Sequence, residues 1–127
     1  MIYGVGTDLV EIARVERVLA RFGDRFAERI LCAPELERFR ALGRPAAYLA
    51  KRFAAKEAFG KALGCGVRAP ADWHGVWVSN HGLGQPQLEF SAALAALLAA
   101  EGIRRAHLSL SDERRLASAT VILECAA

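Results

Sequence analysis

Cysteine, proline and long apolar runs are all scarce in this 127-residue chain, and each shortage excludes something. Cys32, Cys65 and Cys125 are odd in number and widely spaced, which suits neither a disulfide framework nor a zinc site. They read as reduced thiols of a cytoplasmic protein. No apolar stretch approaches the ~18 residues of a membrane-spanning helix. The longest candidate, Ala92–Ala100, is far shorter, so no membrane association is expected. The opening MIYGVGTDLVEI has no basic region ahead of an apolar one and introduces acids at Asp8 and Glu11, so it does not read as a signal peptide. Aromatic residues make up only 8% of the chain and are not interleaved with the basic ones, which argues against a stacking platform for nucleic acid. A Walker-type phosphate loop is also missing.

What is present is mostly apolar: 54% of residues, with a mean hydropathy of +0.19, which excludes disorder. At this length one core can bury about two-thirds of the surface an unfolded chain exposes, and residues 1–127 read as a single domain. The net charge of +3 is unevenly spread: residues 1–68 hold 13 Lys/Arg against 8 Asp/Glu, whereas residues 69–127 hold 4 against 6. A basic first half calls for an anionic partner, whether phosphate, nucleic acid or an acidic protein.

The pattern of side chains predicts an α+β fold. Ile2–Val10 reads as a strand, interrupted by Gly4 and Gly6, which signal a bulge or a close approach by another backbone or a ligand. Ile12 to about Phe22 reads as an amphipathic helix: Ile12, Val15, Leu19 and Phe22 form its apolar stripe, and Arg14, Arg17 and Arg21 share another face. A turn or short helix over Arg25–Leu31 and a helix opened by Pro34 follow. The segment Arg52–Gly66 is rich in alanine and straight-chain residues, free of proline, and ends at glycines that suit a helix C-terminus. Val76–Val78 and Gln87–Phe90 predict a hairpin; Ser91 is a plausible N-cap for an Ala/Leu helix ending before Gly102. His107–Ser111 and Leu116–Glu124 read as the last two strands. The expected whole is an antiparallel sheet packed on a long central helix.

Three residues point to chemistry. Asp8 is an acid inside an apolar, strand-like run, where a carboxylate needs a partner or a cation. Glu57 and Lys61 stand four apart on the long helix, on a face different from Ala55, Ala58, Phe59, Ala62 and Leu63. If strand and helix pack together, Asp8 and Glu57 form a hard, oxygen-rich site that suits Mg²⁺, and Lys61 adds charge for the same phosphates. The run Gly4–Leu9 starts like a dinucleotide fingerprint, but Leu9 replaces its third glycine and no βαβ unit follows. His107, Ser109 and Ser111 alternate along a strand without a nucleophile elbow, so a hydrolytic triad is not read there.

The segments GVGTDLVEIARV, FAERIL, LAKRFAAKEAFGKALGCG, GQP and HLSLSDE with ASATVILE, taken in order, resemble the holo-acyl-carrier-protein synthase family over essentially the whole chain. The resemblance implies a 4′-phosphopantetheinyl transferase fold and transfer of 4′-phosphopantetheine from coenzyme A to a serine of apo-acyl carrier protein, in fatty acid biosynthesis. By motif position it implies Mg²⁺ ligands at Asp8 and Glu57, and a lysine on the transferring phosphate at Lys61. Arg52, Lys56 and Ser109 are implied around coenzyme A. Arg14, with Arg21, is implied to dock the carrier's acidic helix, and a homotrimer with sites at subunit clefts is implied for the assembly. The proton acceptor, a carboxylate or a bound water, stays open.

Two positions depart from the family pattern. Asp112 stands where many members carry His, so no base role is assigned to it. Cys32 replaces the Thr or Ser common after RIL, a weaker helix cap. Two other readings fit parts of the chain: a non-catalytic basic module, and a hydrolase of nucleotide pyrophosphates.

Overall fold

In the computed structural model, which describes residues 1–126, strand β1 (Ile2–Glu11) leads directly into helix α1 (Ile12–Phe22). Helices α2 (Asp24–Ile30) and α3 (Ala33–Ala41) follow, then the long helix α4 (Ala46–Leu63). The hairpin of β2 (Val76–His81) and β3 (Gln85–Phe90), helix α5 (Ala92–Ala100), and strands β4 (Ile103–Asp112) and β5 (Leu116–Cys125) complete the order. The main sheet runs β1-β5-β4 with both pairs antiparallel, and α4 lies across one of its faces. This is the α+β architecture that the sequence predicts.

Small residues let α4 lie close to the sheet. Ala54, Ala55 and Ala58 are fully buried against the strand face formed by Ala117, Ala119, Val121 and Leu123. A methyl group built on Gly6 would stand 1.9 Å from the Ala58 carbonyl oxygen, and one on Gly4 2.0 Å from that of Ala62. Both alternatives read from these glycines therefore occur: the pairing register shifts between Ile2 and Gly4, and the backbone that approaches is α4. The helix ends where expected, with Gly64 at φ +92° and its N–H bonded to the Gly60 carbonyl at 3.0 Å.

Elsewhere the structure sharpens or corrects the sequence reading. Ser91 caps α5, its hydroxyl accepting from the Leu94 N–H at 3.2 Å. Phe22 leaves the predicted apolar stripe and is half exposed beside the Arg21 guanidinium, because α1 ends there and the chain turns at Gly23. Strand β2 runs past the predicted Val78 and ends at His81. The sheet face away from α4 is left open: Ile2, Val5 and Leu9 are 59%, 54% and 65% exposed.

Candidate active site

Side-chain alternation decides where Asp8 points. It pairs with Ala119, which is buried under α4, so Asp8 faces the helix rather than the open side of the sheet. Its side chain is only 16% exposed. Oδ1 accepts from Lys61 Nζ at 3.2 Å, whereas Oδ2 is buried with no partner. Glu57 looks into the same cleft, a space of about 710 Å³ that Arg14, Val15, Phe26 and Phe53 also line. Burial, and then the charge of Asp8, push the Glu57 carboxyl above its ordinary value, against a smaller opposing pull from Lys61.

Two acids sharing a cleft, one with an orphaned buried oxygen, lack positive charge. Lys61 supplies part of it, held by Asp8 and by the Thr7 carbonyl at 2.9 Å, with half its side chain in solvent. Among the described residues no group of three or more His, Cys, Asp or Glu side chains converges, which argues against a closed transition-metal cage. Two carboxylates fit a hard cation that keeps water and shares its shell with a ligand's phosphates.

The other residues singled out in the sequence separate. Arg14 lies at the cleft, and Arg21 is exposed further along α1, 5.2 Å from the Phe22 ring. Arg52 is buried beneath a second cleft of about 580 Å³, which it lines with Arg38, Tyr48, Trp77 and Asn80. Its guanidinium lies 4.0 Å from the Tyr48 ring centroid and donates to Asn80 Oδ1 at 3.2 Å, and its Nε has no partner. Ser109 belongs to the row Thr7–Thr120–Ser109 on the open face, so within one chain it is turned away from Asp8 and Glu57.

Lys56 requires a correction. It was expected near the coenzyme A phosphates, yet its side chain is completely buried. Its ammonium donates to the Ile30 carbonyl at 2.6 Å, Glu35 Oε1 at 2.6 Å and the Trp73 carbonyl at 2.7 Å. Three protons have three acceptors, and none remains for a phosphate. Glu35, absent from the residues singled out above, is the acid that holds this ammonium. Its place three residues after Cys32, behind Pro34, is a capping signature, and its Oε1 does accept from the Cys32 N–H at 3.0 Å. The signature could have revealed Glu35 but not Lys56 as its partner.

The chain matches the family model of the 4′-phosphopantetheinyl transferase superfamily over residues 4–119. It is 52% identical over 124 residues to a holo-[acyl-carrier-protein] synthase of Laribacter hongkongensis, a match spanning 98% of this chain and 99% of that one. The corresponding Vibrio cholerae protein is also 52% identical, with 98% of each chain covered. Among solved structures, the holo-[acyl-carrier-protein] synthase of Neisseria meningitidis superposes with a TM-score of 0.94 at 45% identity, covering 98% of this chain and 99% of that one. The Bacillus anthracis synthase, solved in complex with CoA (3′,5′-ADP), gives 0.83 at 35% identity, with 99% of each chain covered. On this agreement of fold and sequence along the whole length, the chain belongs to the 4′-phosphopantetheinyl transferase superfamily, among its holo-[acyl-carrier-protein] synthases.

Proposed function

We propose that the chain moves the 4′-phosphopantetheine arm of coenzyme A onto a serine of apo-acyl carrier protein at the Asp8–Glu57 cleft, with Mg²⁺ held by those two carboxylates. The observation that carries this reading is the buried, unpartnered Oδ2 of Asp8 beside a Glu57 carboxyl driven upward by burial and by Asp8. Bound there, Mg²⁺ would supply charge neutralisation at the pyrophosphate oxygens.

The chain's own groups do the rest. Transfer forms a bond from the serine oxygen to phosphorus, breaks the bond to the adenosine 3′,5′-bisphosphate leaving group and releases the serine proton. Positioning and electrostatics dominate such a step. Lys61, half exposed at the end of its reach from α4, presents positive charge to the transferring phosphate. Phe26 and Phe53 give the cleft an apolar wall that keeps water away from the reacting groups. Arg14 at this cleft, and Arg21 beyond it, offer fixed cations to an acidic helix of the carrier. The cleft over the two cations Arg52 and Arg38 suits the anionic nucleotide end of coenzyme A.

The open sheet face supports a homotrimer. Ile2, Val5 and Leu9 form an apolar patch that a neighbouring copy would cover, and Ser109 on the same face would then belong to a cleft between subunits. A cytoplasmic location accords with three free cysteines and with the lack, among the described residues, of any helix long and apolar enough to cross a membrane.

Intact-mass spectrometry of an apo-acyl carrier protein incubated with the chain, coenzyme A and Mg²⁺ tests the reaction. A gain of one phosphopantetheine that EDTA abolishes is expected. Coenzyme A left intact, with several carriers unmodified, would favour a binding module. Cleaved coenzyme A without carrier modification would favour a hydrolase.

A further inference from the structure

The network around Lys56 joins five parts of the fold through one buried ion pair. Lys56 reaches the end of α2 at Ile30, α3 at Glu35 and the loop before β2 at Trp73. Glu35 completes the web: Oε1 also accepts from the Cys32 N–H, and Oε2 accepts from the Val78 N–H of β2 at 3.0 Å. Every polar atom in the pair has a partner, and the side chains are 0% and 1% exposed. A buried ion pair is a poor device for raising stability, since desolvation offsets most of its attraction. Its value lies in fixing one arrangement.

The arrangement it fixes leads to the carboxylate cleft. Glu57 follows Lys56 directly on α4, turned by about 100° around the helix axis. Where α4 meets β1 the contact is Gly4 and Gly6 against Ala62 and Ala58, whose smooth surfaces limit separation but, apart from the half-exposed Lys61 on Asp8 and the Thr7 carbonyl, give few side-chain keys against rolling. Lys56 supplies such a key. The loop it holds by the Trp73 carbonyl also stacks the Trp73 ring on Phe53, centroids 5.1 Å apart, and Phe53 is a wall of the cleft one turn before Glu57.

We propose that Lys56 is a positioning residue: its buried pair with Glu35 sets the roll of α4, and so how Glu57 is presented to Asp8 for divalent cation binding. This rests on the metal reading of the cleft. Mn²⁺ alone is the probe, with binding followed by the loss of its free-ion electron paramagnetic resonance signal. In Lys56→Met, and in Lys56→Met/Glu35→Gln, which leaves no buried charge uncompensated, folding is checked by circular dichroism. Leu98→Ala, a core truncation on α5 away from the cleft, serves as a control for general destabilisation.

Weakening of Mn²⁺ binding by about tenfold or more is expected in the folded Lys56 variants, as for outer-shell changes at metal sites. The Mg²⁺ concentration for half-maximal turnover should rise in parallel, while Leu98→Ala binds Mn²⁺ normally. Unchanged Mn²⁺ affinity in folded Lys56 variants overturns the inference alone. An equal loss in Leu98→Ala also overturns it, because general loosening then explains the effect. If neither Lys56 variant folds, the pair is a requirement of the fold rather than of the site, and the inference falls. No Mn²⁺ binding by the unchanged chain removes the metal reading together with the inference.

Discussion

The Ala58 carbonyl lies so close to Gly6 that a methyl group at residue 6 would stand 1.9 Å from its oxygen. Strand and helix thus meet backbone to backbone, two residues before Asp8 and one residue after Glu57. Gly6→Ala must push them apart. Overpacking of this kind costs about 1–3 kcal/mol, and because it widens the Asp8–Glu57 cleft, activity should fall further than stability does. Thermal unfolding and turnover measured on the same sample check this; a variant as active as the original would show that the close approach is dispensable.

Glu57→Gln should separate activity from stability. Burial and Asp8 raise the Glu57 carboxyl in the folded protein, so the folded state holds that proton more tightly than the unfolded chain does. The stabilising contribution of this group is complete below its unfolded value and is lost as pH rises through the folded one. Without metal at neutral pH, removing the charge should therefore raise Tm, and the gain should vanish in acid. Turnover should drop by more than the roughly 10–100-fold associated with outer-shell changes. A lower Tm at neutral pH would contradict the electrostatic account of the cleft.

Arg14→Glu tests the carrier side. Arg14 lines the cleft from α1, and its side chain is exposed. Charge reversal should raise the KM for an acidic carrier roughly tenfold, about 1.4 kcal/mol, and leave that for coenzyme A unchanged. Steady-state kinetics with each substrate varied in turn distinguishes this from a structural effect, which would disturb both.

Cys32 should resist alkylation. Burial pushes its thiol up to about 11, and the thiol donates to the His74 carbonyl at 3.3 Å. Because the thiolate is the reactive form, iodoacetamide at mildly alkaline pH should label Cys65 and Cys125 well before Cys32. Peptide mass spectrometry gives the order; early labelling of Cys32 would mean that the α3 cap opens readily.

Much of this was legible because it depends on local chemistry. Gly64 beyond an alanine-rich run marked the end of α4, and Ser91 marked the start of α5. Gly4 and Gly6 announced a close approach, and Asp8 stood out as an acid in an apolar strand. The burial of Lys56 is not legible in sequence because its partners, Ile30, Glu35 and Trp73, come from three separate segments, and no spacing rule links them. A lysine one residue from a carboxylate looks the same in sequence whether it reaches solvent or is sealed in the core. Ser109 shows the same limit: alternation gave its strand face, but only the packing of α4 tells which face is covered.

The sheet order has a consequence for how the protein comes into being. In that sheet β1 pairs with β5 alone, so Asp8 opposes Ala119, a residue more than a hundred positions later. The segment from α2 to β2, with its Lys56–Glu35 web, can gather from neighbouring stretches as they leave the ribosome. The first strand made must wait for the final one. Its pairing closes the longest loop in the sheet and carries the largest entropic delay. The register that keeps Asp8 turned toward α4 is thus shared with the last strand of the sheet, and a nascent chain stalled before β5 is expected to hold its central helix without a finished site.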